Sequence, residues 1–320
     1  MSEPATPAQV TALSAAKAVQ SSDAGNPALG IAYMVIAVAL FTIMDALVKW
    51  LGPHYPTMQI VFFRSLFAFV PLGIFIARTG SLVSLATRQP FGHVLRSFIG
   101  LTALSCFFYA YAHMPLANVI AIAFAAPLFI TALSVPLLGE AVGPRRWGAV
   151  AFGFVGVIIM VRPDSGVFDS VALVALFGTV CYALAMIFVR KLSRTETSAA
   201  IVFYYSLAST IVAGLFMPFQ WVTPGLQDLG LLIAVGLVGG VAQIFMTNAF
   251  RNAPAAVIAP FDYTTMIWAV IVGFFIWGEI PGVNVWIGVA IVVVSGLYIL
   301  QREANLGLRR GVARPLQPRR

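Results

Sequence analysis

The two halves of this chain carry the same short motifs at a constant separation, and this repeat limits the possible folds more than any other feature. Three residue types recur 139 positions apart, in the pairs Pro115 and Pro254, Glu140 and Glu279, and Trp147 and Trp286. An earlier match between Val48-Lys49 and Val189-Arg190 has an offset of 141, so one connecting loop differs by two residues between the halves. Each half contains about five apolar segments, so the two copies must cross a membrane in opposite directions.

The composition places these segments in lipid. Hydrophobic residues make up 60% of the chain, charged residues only 9%, and the mean hydropathy is +0.95. A soluble domain could not bury that much apolar surface. Segments such as 31–40 and 287–300 are apolar on every face, which indicates helices, since strands of a membrane barrel alternate. We therefore predict an all-α membrane protein with ten transmembrane helices, arranged as two inverted five-helix repeats.

Glycine and proline positions divide the chain into spans of about 20 residues. The predicted spans cover residues 30–50, 57–77, 91–112, 115–138, 144–162, 168–190, 197–219, 227–250, 254–277 and 281–301. Residues 30–162 form the first predicted repeat and residues 168–301 the second. Residues 1–29 lack a basic segment before a short apolar stretch, so we expect a disordered cytoplasmic tail rather than a signal peptide. Residues 302–320 form a basic cytoplasmic tail.

Basic residues predict the orientation. With the N-terminus inside, the cytoplasmic side carries most of the basic residues outside the spans: Lys17, Arg78, Arg88, Arg145, Arg146, Arg190, Lys191, Arg194, Arg251 and the arginines of the tail. The other side keeps only Lys49 and Arg162. This asymmetry predicts that both termini are cytoplasmic.

The motifs of several other functions are missing from the sequence. The two cysteines, Cys106 and Cys181, lie within apolar spans and form no CxxC pair, and the three histidines form no ligand cluster. No P-loop, dinucleotide-binding motif or nucleophile motif occurs. We therefore predict neither an enzyme nor ATP-driven transport, and no metal or other cofactor. The net charge of +8 comes from loops and the tail, where it faces lipid rather than nucleic acid.

Small residues and prolines predict how the helices pack and bend. Gly236-x-x-x-Gly240 in the eighth span predicts close helix contact, and Gly148, Gly153 and Gly156 in the fifth span do the same. Two further residues, Pro127 and Pro260, lie within the fourth and ninth spans and predict kinks there.

Asp45 and Arg64 are ionisable residues inside the first two spans, where such groups are costly and usually functional. The turn between these spans places both residues at nearly the same depth, so we expect them to pair. One interpretation is a buried ion pair that joins the two helices. The other is a site where a substrate or a proton competes for one partner. Arg96 lies near the cytoplasmic end of the third span and is expected to extend its charge to the surface.

Asp262 is the only carboxylate predicted near the middle of the membrane. It begins about 12 Å into the ninth span by helical rise, and no lysine or arginine lies within one turn of it. Loss of water favours its neutral form, so it is a candidate for binding a proton or a cationic substrate group. The alternative is a neutral acid that hydrogen-bonds a nearby tyrosine or threonine. Glu140 and Glu279, at helix ends beside glycine, are interpreted as structural.

Aromatic and amide side chains complete the set of candidate substrate-binding residues. Besides Asp45, Arg64 and Asp262, the candidates are Tyr109, Asn118, Tyr204, Tyr205, Gln243, Asn248, Tyr263 and Trp268. Aromatic faces stack on rings and amides fix orientation, so these walls favour a small, ring-bearing metabolite.

The repeated motifs resemble those of EamA-type, ten-helix members of the drug/metabolite transporter superfamily. The resemblance covers about residues 30–300 and rests on the matching segments at 115–122 and 254–260, and on Leu-Gly-Glu (138–140) and Trp-Gly-Glu (277–279). Met44-Asp45-Ala46 and Phe63-Arg64-Ser65 look like segments of riboflavin or S-adenosylmethionine uptake transporters. The resemblance implies secondary, ATP-independent transport in the bacterial inner membrane.

The predicted function is a carrier of a small polar organic metabolite that works by alternating access, with riboflavin uptake as the leading candidate. S-adenosylmethionine uptake and export of amino acids or other metabolites are the alternatives. A flippase for a lipid-linked substrate is the rival from another class. The expected partners are the substrate, the lipid bilayer and a proton as candidate coupling ion, and the protein is expected to be a monomer or a homodimer.

Overall fold

The computed structural model describes residues 26–79, 85–139, 142–161, 169–193, 195–253 and 255–312. Within these ranges, ten helical segments are long and apolar enough to cross a membrane. The same ranges contain helices, turns and loops but no strand. The predicted all-α fold with ten transmembrane helices is confirmed.

Seven of the ten spans are single helices in the described residues. Spans one, three, five, six, seven, eight and ten are Pro27–Leu51, Pro90–His113, Pro144–Val161, Ser170–Leu192, Ser198–Gln220, Leu226–Asn252 and Val283–Val312. Span one begins three residues earlier than the sequence predicted, because Asn26 accepts the backbone N–H groups of Ala28 and Leu29 and so caps the helix. The remainder of the predicted N-terminal tail, residues 1–25, lies outside the described residues.

Three spans are each divided into two helices. Span two comprises Thr57–Phe67 and Phe69–Thr79, span four comprises Leu116–Ala123 and Ala126–Leu138, and span nine comprises Ala255–Asp262 and Thr265–Trp277. We call the membrane face at which span one begins the near face, and the face at which it ends the far face. The sequence predicts that the near face is cytoplasmic.

The breaks in spans two and four have a common cause. Pro71 and Pro127 lack the N–H that would bond the carbonyl four residues earlier, and the preceding helices end at those residues, Phe67 and Ala123. The kink predicted at Pro127 is therefore confirmed, with the break on its N-terminal side.

Span nine breaks in a different way. Its helix continues past Pro260 to Asp262, and the residue that corresponds to Pro127 is Met266, which keeps its N–H. Threonine hydroxyls bond the carbonyls at the break: Thr264 Oγ1 donates to Phe261 O (2.6 Å) and Thr265 Oγ1 to Asp262 O (2.5 Å). The break therefore lies after Asp262 and not at the predicted proline.

The two repeats match residue by residue around these breaks. The helix bounds 116, 123, 126 and 138 in span four and 255, 262, 265 and 277 in span nine differ by 139 throughout. Both second helices end in a glycine with left-handed backbone, Gly139 (φ 67°) and Gly278 (φ 68°). At the breaks, the corresponding rings of Phe124 and Tyr263 meet edge to face with centroids 4.9 Å apart. The repeats therefore touch through equivalent residues.

The contacts between spans obey the same symmetry. Span one packs on span eight, and span three packs on span six, which are equivalent contacts when the repeats are exchanged. Spans two and seven contact each other, as do spans five and ten. Exchange of the repeats turns each of these pairs into itself. This pattern is that of two inverted repeats related by a pseudo-twofold axis in the membrane plane.

Glycines permit the close helix contacts, as the sequence predicted, with one exception. A Cβ at Gly236 would lie 2.5 Å from the Cβ of Phe67, and one at Gly240 would collide with Pro71, so span eight packs directly on span two. In span five, Gly156 meets the backbone of Gly288. Gly148 has nothing within 4 Å of such a Cβ, so the predicted close contact is not made there.

Candidate substrate-binding site

A cavity with both apolar and polar lining lies between spans two, three, seven and eight in the half of the protein toward the near face. Its volume is about 100 Å³, and its polar lining consists of Arg64, Arg96, Tyr205, Ser206, Gln243 and Thr247. Arg64, Tyr205 and Gln243 were predicted as site residues from the sequence. Arg96 was not, because its position near a helix end suggested that its charge would reach the surface.

Tyr205 brings the two arginines together. The guanidinium carbon of Arg96 lies 4.0 Å from the centre of the Tyr205 ring, and that of Arg64 lies 5.9 Å from it. Gly100 makes room for the ring, since a Cβ there would lie 3.0 Å from it, and the Tyr205 hydroxyl donates to the Gly100 carbonyl at 3.4 Å. Arg96 is consequently buried, with 9% of its surface exposed, and does not extend to the near face as predicted.

The predicted Asp45–Arg64 ion pair is not formed. Arg64 makes no salt bridge in the described part of the chain, although it is near enough to interact electrostatically with Asp45. Asp45 is buried within hydrogen-bonding range of the Tyr111 hydroxyl on span three. The two side chains share a depth, but one turns toward span three and the other toward span seven.

Asp262 lies at the break of span nine, next to Tyr263 where the repeats meet. It makes no salt bridge among the described residues, in agreement with the sequence prediction that no basic partner is close. Its side chain is exposed and interacts electrostatically with Tyr182 on span six, which in turn interacts with Arg96. Tyr182 is thus near enough to interact electrostatically with both Asp262 and Arg96.

The remaining predicted site residues lie elsewhere. Tyr109 stacks on His113 toward the far end of span three, and its ring is 4.2 Å from that of the histidine. Tyr204 donates to the Leu85 carbonyl (3.1 Å) in the near-face loop after span two. Trp268 packs on the apolar cluster around Met34. These three residues do not line the cavity.

Two predicted amides also lie outside the cavity lining. Asn248 accepts a bond from Asn252 Nδ2 through its backbone carbonyl at 2.8 Å. Asn118, in the first half of span four, has a buried Oδ1 without a hydrogen-bond partner among the described residues. Their predicted contact with substrate stays a prediction.

An ion pair on the far face joins three spans, and we call it the far-face ion pair. Lys49 Nζ at the end of span one lies 2.6 Å from Glu279 Oε1, after span nine, and donates to the Met114 carbonyl at 2.8 Å. The other oxygen, Glu279 Oε2, accepts the Leu116 N–H at the start of span four (3.2 Å). The structural interpretation of Glu279 is thereby confirmed, whereas its repeat counterpart Glu140 lies outside the described residues.

The sequence contains a signal for this pair. Lys49 and Glu279 both belong to motifs that recur in the other repeat, and inverted repeats place the end of the first span of one repeat on the same face as the end of the fourth span of the other. A second cavity of about 490 Å³, lined by Trp50, Asp228 and Trp277 among others, lies on the same face. Beside it, Tyr55 donates to Asp228 at 2.7 Å, and this bond raises the pKa of Tyr55.

A hydrogen-bond network on the near face links the loops before spans three and seven. Glu196 accepts the backbone N–H of Arg88 at 2.9 Å and lies 3.4 Å from His93 Nε2. The bond from Arg88 lowers the pKa of Glu196 below its ordinary value of 4.5. This network sits at the near-face edge of the helices that carry Arg96 and Tyr205.

Comparison with known proteins identifies the family. The sequence profile of the EamA-like transporter family matches the chain twice, over residues 28–162 and 169–301. The chain belongs to this family. The EamA profile matches each five-helix repeat separately, in agreement with the two halves of the fold. It also identifies the protein as a membrane transporter and not an enzyme.

Several relatives that are named for a transport function are similar to this chain over most of their length. The S-adenosylmethionine uptake transporter of Rickettsia prowazekii is 27% identical over 86% of this chain and 93% of its own length. The pseudopaline exporter of Pseudomonas aeruginosa is 32% identical over 83% and 94%. The riboflavin transporter of Rhizobium johnstonii is 29% identical over 86% and 92%. A crystal structure with 18% identity shares the fold, with a TM-score of 0.59 over 86% of this chain and 97% of that one.

Proposed function

We propose that this EamA-family protein is a secondary, ATP-independent carrier that moves a small polar organic metabolite across the bacterial inner membrane. The observation that carries the proposal is the meeting of the two repeats at equivalent broken helices, beside polar groups inside the membrane. Inverted repeats with discontinuous helices at their interface are the architecture of alternating-access carriers, which hold substrate between the halves.

The substrate is proposed to occupy the space between Asp262 and the cavity of Arg64 and Arg96. The cavity of about 100 Å³ has room for one polar group, and the rest of the metabolite is proposed to lie along Tyr182 and the break of span nine. Riboflavin and S-adenosylmethionine are the two candidates, supported by the relatives that are named for them. The relative named as an exporter keeps export as the alternative direction.

Transport by purified protein in liposomes tests the proposal. Vesicles should take up labelled riboflavin or S-adenosylmethionine faster than protein-free vesicles, without ATP. An imposed proton gradient, acidic on the outside, should increase the accumulation if a proton is the coupling ion. A protein that is monodisperse and correctly inserted, but moves neither compound in either direction, would contradict the proposed substrates.

A riboflavin-auxotrophic host provides a second test of the same choice. Expression of the protein should restore growth at limiting riboflavin if that vitamin is imported. Growth that stays at the level of an empty vector, despite good expression, would remove riboflavin and leave S-adenosylmethionine and amino-acid-like compounds.

A further inference from the structure

Two guanidinium groups face one small cavity inside the membrane without a carboxylate partner. Arg64 lies in span two and Arg96 in span three, and neither makes a salt bridge in the described ranges. Charged side chains inside a bilayer are costly and nearly always pair with an opposite charge or line a polar pathway. The two arginines are also near enough to repel each other. Their arrangement is unfavourable unless a negative charge joins them.

The ring of Tyr205 does not supply that charge. A cation–π contact uses the face of the guanidinium and leaves its N–H donors unbonded. Three buried nitrogens have no hydrogen-bond partner among the described residues: Arg64 Nε, Arg96 Nε and Arg96 Nη1. Donors from both arginines therefore remain available at the cavity.

None of the nearby carboxylates of the described chain forms a salt bridge with either arginine. Asp45 is near enough to Arg64 to interact electrostatically, but its carboxyl lies within hydrogen-bonding range of Tyr111. Glu196 binds the Arg88 N–H and contacts His93. The guanidinium donors at the cavity are therefore not bonded by a carboxylate of the described chain.

We infer that Arg64 and Arg96 bind a negatively charged oxygen group, a carboxylate or a phosphate, on the transported metabolite. The inference rests on the proposed carrier function and specifies its substrate class. Guanidinium groups bind such anions with parallel N–H···O bonds, which fix orientation as well as charge. The Gln243 side-chain amide in the same lining offers further N–H donors, and the cavity volume suits one such group.

This inference reverses the order of the two candidate substrates. Riboflavin is uncharged at neutral pH, so it offers nothing to neutralise the arginines. S-adenosylmethionine carries an α-carboxylate for the arginines and positive groups that suit the exposed Asp262 carboxyl. An anionic or zwitterionic metabolite therefore fits the charges of the interior better than a neutral ring system.

Two matched pairs of compounds test the inference with wild-type protein. One pair is S-adenosylmethionine and its decarboxylated analogue, and the other is riboflavin 5′-phosphate and riboflavin. Counterflow in proteoliposomes avoids any dependence on a coupling ion. In at least one pair the member that carries the carboxylate or phosphate should be transported faster by about tenfold or more, as expected for loss of charge-assisted hydrogen bonds. The pair that responds distinguishes a carboxylate from a phosphate.

Variants then assign the preference to the cavity. Arg96→Gln and Arg64→Gln should each reduce the ratio between the compound with the carboxylate or phosphate and its matched analogue to near one. Arg96→Lys should keep part of this preference because the charge remains. Arg78→Gln, at an exposed position in the second half of span two, is the control and should leave the ratio unchanged. The compound pairs give a result even if one variant fails to fold.

The outcomes separate this inference from the proposed function. Equal or faster transport of the analogues that lack the carboxylate or phosphate, with ratios unaffected by Arg96→Gln, would overturn the anion site while leaving the carrier function intact. Transport of none of the four compounds above protein-free vesicles would contradict both.

Discussion

Asp262 occupies the position in the second repeat that Ala123 occupies in the first, so the pseudo-symmetry of the helix breaks is interrupted by one carboxyl group. The acid stands at the interface of the repeats, exposed and without a salt bridge among the described residues. Removal from bulk water favours its protonated form, and renewed access to water favours release of the proton. The protonation of a group in this position can depend on which face of the protein is open to water.

The Asp262→Asn variant should separate coupling from substrate movement. The amide imitates the protonated acid, so uptake driven by a pH gradient should be lost while substrate exchange across the vesicle membrane persists. Asp169→Asn, at the start of span six, is the matched control and should keep both activities. Wild-type rates with an unchanged pH dependence in Asp262→Asn would show that Asp262 is only a structural hydrogen-bonding group.

Glu196 predicts a pH effect on stability at the near face. Because its pKa in the folded protein is lowered, its stabilising contribution is present above the unfolded value of about 4.5 and is lost as the pH falls through the lower folded value. Glu196→Gln should therefore flatten the loss of thermal stability below pH 4.5. Thermal unfolding of both proteins across that range is the measurement, and identical slopes would argue against the assignment.

Arg96 illustrates what residue-level reasoning from sequence could not provide. Its predicted position, near the near-face end of span three, suggested that its charge would reach the surface. Its actual burial depends on Gly100, which admits the ring of Tyr205 from span seven and so holds the guanidinium inside. The direction of a side chain depends on a partner more than a hundred residues away. The same limit applies to Asp45 and Arg64, whose equal depth did not make them a pair.

At the scale of helices, the far-face ion pair connects the end of span one to the start of span four and the end of span nine, both of which are broken spans. Lys49 and Glu279 are mostly buried, with 10% and 21% of their side chains exposed, and both also bond backbone groups next to span four. These contacts hold the far-face ends of spans one, four and nine together. Any state that opens between these spans on the far face must separate them.

Single substitutions in this pair should be costly. Glu279→Gln or Lys49→Gln leaves one charge partly buried without its partner, which we expect to cost about 3 kcal/mol of stability. The double variant should be less destabilised than the sum of the single variants. Thermal unfolding in detergent gives the comparison, with Lys191→Gln, exposed on span six, as the control. Strict additivity would mean that the two side chains do not interact in solution.

Helix boundaries were predictable where a local rule decided them. Proline predicted the break in span four, and glycines predicted the contact of span eight with span two. The break in span nine was predicted at Pro260 but follows Asp262, because two threonine hydroxyls satisfy the carbonyls there. Such side-chain bonds depend on rotamers and neighbours that a single sequence does not specify.

At the scale of the whole molecule, the repeat predicted both the number of spans and their opposite orientations. The ten helices and their paired contacts agree with that prediction. The assignment of the near face to the cytoplasm rests on the basic residues alone and stays a prediction.

Topology reporters decide the orientation. Fusions after Arg194, between spans six and seven, and after Arg310, beyond the apolar part of span ten that ends at Arg302, should both report a cytoplasmic location. A fusion after His54, in the turn after span one, should report the opposite side. A periplasmic signal at Arg310 alone would imply an odd number of spans and would contradict the inverted repeat.

The two matching breaks differ in whether the missing helix hydrogen bond can form. In span four, Pro127 can never supply the bond that would make the helix continuous. In span nine, Met266 donates to Tyr263 at 3.2 Å and could instead donate to Asp262, whose carbonyl is now held by Thr265. Only span nine can straighten, so amide exchange over residues 262–266 should respond to substrate while residues 123–127 do not. That result would mean that the half that bears the acid moves while the other half stays fixed.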